Sequence, residues 1–192
     1  MYMKNILSIL FLFISSFSFG QTIVPIENLK GYIETSGQTY YYKDVNGVFD
    51  KFIGNWRYQD SELNPSKIVE ISFLKRTMVM SGIQTKYHDR IYALIKYTHN
   101  GTVVYDTYPV NLPPLLNRGN NIVGGTFSVP SNTNKLDLFY SEPGLGGKRG
   151  YLTIEYDDNG GSPILNWKVQ SFRELTKPFK MPTVMVLEKE LM

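Results

Sequence analysis

Few residues in this sequence have types and spacings suited to chemistry, and the glycine-rich stretch Gly144-Leu145-Gly146-Gly147-Lys148-Arg149-Gly150 is the most conspicuous group. Successive backbone N–H groups beside a lysine can hold phosphate oxygens. The order a phosphate loop needs is absent. Glu142 and Pro143 stand where the leading Gly would fall, Arg149 replaces the Ser or Thr that would bind magnesium, and a strand-like segment follows instead of a helix. A connection between strands accounts for the glycines better. His88 and His99 are the only histidines. His88-Asp89 offers two metal ligands, but neighbours in a strand point to opposite faces, and a metal site needs three or four ligands. Asp157-Asp158-Asn159-Gly160 has oxygens suited to calcium without the alternation and distal Glu of an EF-hand loop. Ser81-Gly82 and Gly161-Ser162 are fragments of a nucleophile elbow, not a complete Gly-x-Ser-x-Gly. No catalytic residue, metal ligand or cofactor-binding residue is assigned, and no cofactor is expected.

Aromatic residues, 14% of the chain, are the remaining asset. Tyr58, Phe73, Tyr92, Tyr140, Tyr156 and Trp167 are the candidate ligand-binding residues, placed so as to line the inside of a barrel. The plainer reading is that they fill the core, because a small barrel has just enough interior for its own side chains.

The elements that must position these side chains are strands. From Asp50 to Tyr58 the residues Phe52, Gly54, Trp56 and Tyr58 share one face in alternation, and Lys51, Ile53, Asn55 and Arg57 the other. A Gly two residues before a Trp lets another backbone pass close to the ring. Val69, Ile71 and Phe73 alternate with polar neighbours, as do Leu136, Leu138 and Tyr140, and Leu165, Trp167 and Val169. Arg90–Thr98 and Thr102–Tyr108 form a hairpin around Asn100-Gly101, the pair favoured where both turn residues need positive φ. That turn also explains the sequon Asn100-Gly101-Thr102. About nine short antiparallel strands follow, with no segment of helical length and period, and they leave a barrel or a sandwich. Closure removes exposed edges, which favours an all-β, antiparallel, up-and-down barrel. Pro109, Pro113 and Pro114 interrupt the series with an unusually apolar loop at Leu112, Leu115 and Leu116.

Three segments are expected: a signal peptide at 1–20, a lead-in at 21–49 with one short strand, and the barrel at 50–192. Lys4, the apolar run Ile6 to Phe19 and the small residues Ser18 and Gly20 make the export signal. Its core is shorter than the roughly 20 residues that span a bilayer, so the expectation is a soluble periplasmic or secreted protein cleaved near Gly20, not a membrane-spanning one. The net charge of +3 is nearly balanced, and the basic pairs Lys75-Arg76 and Lys148-Arg149 are too short to make a nucleic-acid face. The absence of cysteine rules out disulfides and thiolate chemistry. Tyr40-Tyr41-Tyr42 reads as strand residues before it reads as a stacking platform.

At Phe52 to Trp56 the sequence resembles the Gly-x-Trp entry of the lipocalin and calycin barrels, matched here by Gly54 and Trp56. The resemblance implies a barrel closed at one end by the Trp, with a late basic residue packed across it, for which Arg173 is the candidate. The second lipocalin motif is absent, and strands stand where a lipocalin ends in a helix, so a calycin-like barrel is implied more strongly than a lipocalin. The layout as a whole resembles a family of small exported bacterial proteins of unknown function. The matching residues are Ile23-Val24-Pro25, Tyr42-Lys43-Asp44, Phe52 to Trp56 and Met185-Val186-Leu187-Glu188-Lys189. It implies fold and export, and no activity. Three functions remain open: a barrel holding a small apolar or aromatic molecule, a cell-envelope module with a filled core and a protein partner, or a hydrolase whose residues come together only in three dimensions. A cavity of about 300 Å³ would favour the first. A packed interior with an exposed apolar patch would favour the second.

Overall fold

The computed structural model describes residues 21–81, 86–108, 122–143, 148–158, 160–173 and 178–190. The export segment 1–20, the apolar loop at 112–116 and the glycines 144–147 lie outside the described residues. Eleven strands are present: β1 (Thr22–Pro25), β2 (Tyr40–Lys43), β3 (Gly54–Gln59), β4 (Lys67–Met80), β5 (Lys86–His99), β6 (Thr102–Asp106), β7 (Ile122–Phe127), β8 (Lys135–Ser141), β9 (Arg149–Asp157), β10 (Ile164–Ser171) and β11 (Val184–Lys189). One 3-10 turn among the described residues, Ile26–Asn28, follows β1.

Eight of these strands close a ring in chain order. β3, β4 and β5 form one antiparallel meander and β7 to β11 a second. The two join where Ile91–Ala93 pairs with Ile122–Gly124, and where Glu188 and Lys189 pair with Arg57 and Trp56. The expected up-and-down barrel is therefore present with eight strands in the ring and three outside it. β5 is long because one of its edges serves three partners in succession: β2 at residues 86–88, β7 at 91–93 and β6 at 96–99. The lead-in holds two short strands rather than one, and both run parallel to their neighbours.

Local sequence explains the irregularities. Asn100 and Gly101 take φ of 48° and 75°, the hairpin geometry expected of that pair. The two β-rich runs 67–75 and 77–80 fuse into β4 through a bulge between Arg76 and Val79, where Met78 adopts φ 55°. At Gly125, φ is 127° and a Cβ would lie 2.8 Å from the Phe49 ring, so only glycine fits there.

Alternation sends one residue of each pair inward, and these side chains form a single core cluster. One end of the barrel is closed by the lead-in. Residues 44–53 cross it from β4, where Lys75 meets Asp44 at 2.9 Å and Asp50 at 3.0 Å, to the β7–β8 turn, where Lys51 reaches Asn134. Beneath lie Phe49, stacked on Phe127, and Phe52, whose carbonyl accepts the Trp56 indole N–H at 2.8 Å. The basic group over the Trp56 ring is Lys189, with Nζ 5.3 Å from the centroid, and not Arg173. Arg173 follows the far end of β10, whereas Lys189 pairs directly with Trp56 across β11 and β3. Gly54 is favoured by its φ of 121°, and the nearest group to it is that lysine's side chain, at an ordinary contact distance of 3.6 Å from where a Cβ would stand, where the sequence had suggested a passing backbone.

A buried carboxylate ties this end together. Asp89, at an inward position of β5, accepts hydrogen bonds from the Tyr41 hydroxyl (2.6 Å), the Asp44 N–H (2.9 Å) and the Met78 N–H (3.1 Å). A carboxylate fully supplied with donors is tolerated out of water, and here it joins β2, the bulge and the lead-in.

Candidate functional site: the strapped end of the barrel

The six aromatic candidates do not share one wall. Phe73, Tyr140 and Trp167 are inside and buried. Tyr156 is half-buried near the closed end, edge-on to Phe52 at 6.2 Å, and Tyr58 is half-buried towards the opposite end. Tyr92 lies on the outer face, because Ile91 and Ala93 take the inward positions on either side of it. A void wide enough for a water would leave accessible area on its lining. Trp56, Val69, Phe73, Ile95, Leu136, Leu152 and Leu165 have 0%, so from the closed end through the middle the barrel is filled by its own side chains.

The other end is built differently. Residues 178–183 form a strap that runs from β10, where the Val169 N–H donates to the Thr183 carbonyl at 2.7 Å, across to β8. Phe179 packs against Tyr140 with centroids 5.6 Å apart, and Met181 is buried. The strap is held by Glu142, only 4% exposed, which continues the inward alternation of Leu136, Leu138 and Tyr140. One carboxylate oxygen accepts the Lys180 N–H at 2.5 Å and the Met181 N–H at 3.4 Å, and the other faces Lys148 Nζ at 3.6 Å. Lys148 also donates to the Pro178 carbonyl. From the solvent side Lys180 Nζ stands 5.9 Å above the Tyr105 ring.

Beneath the strap, hydrogen bonding is incomplete. The Tyr105 hydroxyl, the Tyr140 hydroxyl and the Trp167 indole N–H are buried without a partner of good geometry, while the other two such side-chain atoms among the described residues, on Gln21 and Glu27, belong to the lead-in. The Tyr140 and Trp167 rings meet edge to face at 5.9 Å, and Tyr105 lies against Tyr97 at 5.9 Å. Burial raises both hydroxyl pKa values well above the ordinary tyrosine value, followed at Tyr105 by hydrogen bonding to Glu142 and then its charge, and at Tyr140 by the Glu142 charge alone before that of Tyr105. Tyr105 feels that carboxylate strongly, yet its hydroxyl makes no bond of good geometry. Buried polar groups are almost always paired, so these three at one end are exceptions to the usual packing.

Two further surfaces stand on the outer wall. An open cleft of about 340 Å³ is lined by Asn55, Glu70, Ser72, Lys96, Tyr108 and Glu190 among others. Its charges answer each other: Arg57 meets Glu70 and Glu190 at 3.6 Å each, and Lys96 meets Glu70 at 3.4 Å. Phe139, Tyr151 and Phe172 form an exposed aromatic cluster with centroids 4.5 to 6.3 Å apart. Among the described residues no three His, Asp or Glu side chains gather as a metal site. His88 is stacked on Tyr42 at 5.0 Å, with burial lowering its pKa, and His99 is exposed at its turn. No helix among the described residues is long and apolar enough to cross a membrane.

A family model described as "Family of unknown function (DUF6705)" matches residues 3–134, more than half of the chain. The chain belongs to the DUF6705 family. The DUF6705 match takes in the lead-in, the Trp56 closure and β3 to β7. It ends before β8 to β11, which carry Tyr140, Glu142, Trp167 and the strap. No curated protein and no solved structure matches the chain.

Of the side chains beneath the strap, Tyr140 and Trp167 are among the six aromatic candidates of the sequence, and Tyr105 and Glu142 are not. Tyr105 was hidden because β6 lies outside the ring and reaches the end only by pairing with β5. Glu142 carried a readable signal, a charged residue at the next inward position after Leu136, Leu138 and Tyr140.

Proposed function

We propose that the protein is exported and binds a small molecule with an apolar or aromatic body at its strapped end, among Tyr105, Tyr140, Trp167 and Phe179. The supporting observation is the set of three buried donors without partners beneath a strap that a single carboxylate holds. The filled centre argues against a ligand spread along the whole interior, so the binding place is the end and not the axis. The calycin-like reading is supported by the meander order, by Trp56 at the opposite end and by the lysine across its ring. Native against denaturing mass spectrometry on protein from its own envelope fraction tests both parts. The expected result is a chain beginning at Gln21 with a non-covalent adduct. A chain that retains residues 1–20 would remove export, and one that stays bare after exposure to lipid and metabolite extracts would remove the ligand.

The exposed cluster of Phe139, Tyr151 and Phe172 favours a second reading, a protein-interaction module that docks by its outer wall. In that case the adduct is absent and the cluster becomes protected on partner binding.

A further inference from the structure

We propose that the mature chain begins with a pyroglutamate formed from Gln21, and that the folded lead-in is built for this lactam and not for the open glutamine. This rests on the export reading above, which makes Gln21 the first residue after cleavage at Gly20, and it adds a modification which that reading does not contain.

A glutamine at an amino terminus carries a nucleophile and an electrophile on one residue. In the uncleaved sequence the Gln21 nitrogen belongs to the peptide bond with Gly20 and cannot react. Cleavage turns it into an α-amine with an ordinary pKa of about 8, so part of it is unprotonated at neutral pH. The amine lone pair attacks the side-chain carbon Cδ, an N–Cδ bond closes a five-membered ring, and the Cδ–Nε2 bond breaks. One proton passes from the α-nitrogen to Nε2, which leaves as ammonia. The reaction is intramolecular and needs no oxidant, reductant or second substrate.

The structure favours the product. β1 begins at the very next residue: Thr22 pairs with Tyr40 on β2, and its N–H donates to the Thr39 carbonyl at 2.9 Å. Gln21 is therefore tied to the sheet, and it is half-buried. Its Nε2 atom is buried without a hydrogen-bond partner. A buried donor left unmade costs free energy, and Nε2 is the one side-chain atom that ring closure removes. The side-chain carbonyl is kept as the lactam carbonyl. The α-ammonium charge disappears as well, from a terminus held against the sheet. Because Nε2 is enclosed once the lead-in has folded, ring closure belongs to the exported chain before β1 docks on β2.

Peptide and intact masses of protein from its own envelope fraction test the modification. The expected first peptide begins at Gln21, is lighter than the open form by one ammonia, and resists aminopeptidase. Full mass at a Gln21 start overturns the proposal while export stands. A chain that retains residues 1–20, or that begins at another residue, overturns both. The structural part is read from stability. Mature protein released from a fusion and folded before its glutamine closes should unfold at a lower urea midpoint than the cyclised protein, since it keeps the unpartnered donor. An equal or higher midpoint for the open form overturns the claim that the lead-in is built for the lactam.

Discussion

Tyr41 illustrates what one hydroxyl contributes when its partner is a buried carboxylate. It donates to Asp89 at 2.6 Å, and burial followed by that bond and charge pushes its pKa up to about 12. A folded-state pKa above the unfolded value means that the stabilisation is complete below the ordinary tyrosine value of 10.0 and is lost as pH rises through about 12. In Tyr41→Phe the fall in stability over that window should shrink, read as a shallower alkaline limb in urea midpoints against pH. An identical limb would take Tyr41 out of the staple. The sequence placed Tyr40, Tyr41 and Tyr42 on a strand and alternated their faces correctly. It did not show that both faces are covered, one by Tyr32 and His88 and the other by the Asp89 network.

At the scale of elements, both ends of the barrel use the same device. A carboxylate on the inward alternation accepts backbone N–H groups at that end: Asp89 from Asp44 in the crossing segment and from Met78 in the β4 bulge, Glu142 from Lys180 and Met181 in the strap. Each crossing segment lacks a ladder partner for those amides, and the carboxylate supplies one. Removing Glu142 by Glu142→Ala leaves those donors and Lys148 without their acceptor, at a cost of about 1–3 kcal/mol. Hydrogen exchange at Lys180 and Met181 should accelerate while the Trp56 end keeps its protection. Acceleration spread evenly over the barrel would show that the strap is not a separate unit. Arg173 and Lys189 carry the same lesson about pairing. Both are basic residues late in the chain, and only the β11–β3 register decides that Lys189 is the one beside Trp56.

For the whole molecule, closure depends on two short joints, Ile91–Ala93 with Ile122–Gly124 and Glu188–Lys189 with Trp56 and Arg57. Without β11 the second joint is lost and β3 and β10 become open edges, ready to pair with other chains. A chain ending at Thr183, which lacks β11, should lose its cooperative urea transition and associate. A monomer unfolding at an unchanged midpoint would show that β11 is not needed to close the ring.

What the sequence determined by itself is whatever depends on near neighbours. Alternation assigned most of the strands and Asn100-Gly101 made its hairpin, because period and turn conformation act over a few residues; the closed end at Trp56 came from the resemblance alone. Tertiary structure alone decided the rest. It gave the three strands outside the ring, the three-way sharing of the β5 edge, the choice of Lys189 and the meeting of Tyr105, Tyr140, Glu142 and Trp167 beneath one strap. These bring together positions dozens of residues apart, and the physical reason is register. Which residue stands opposite another across a closed sheet is fixed by the hydrogen-bond ladder around the entire ring.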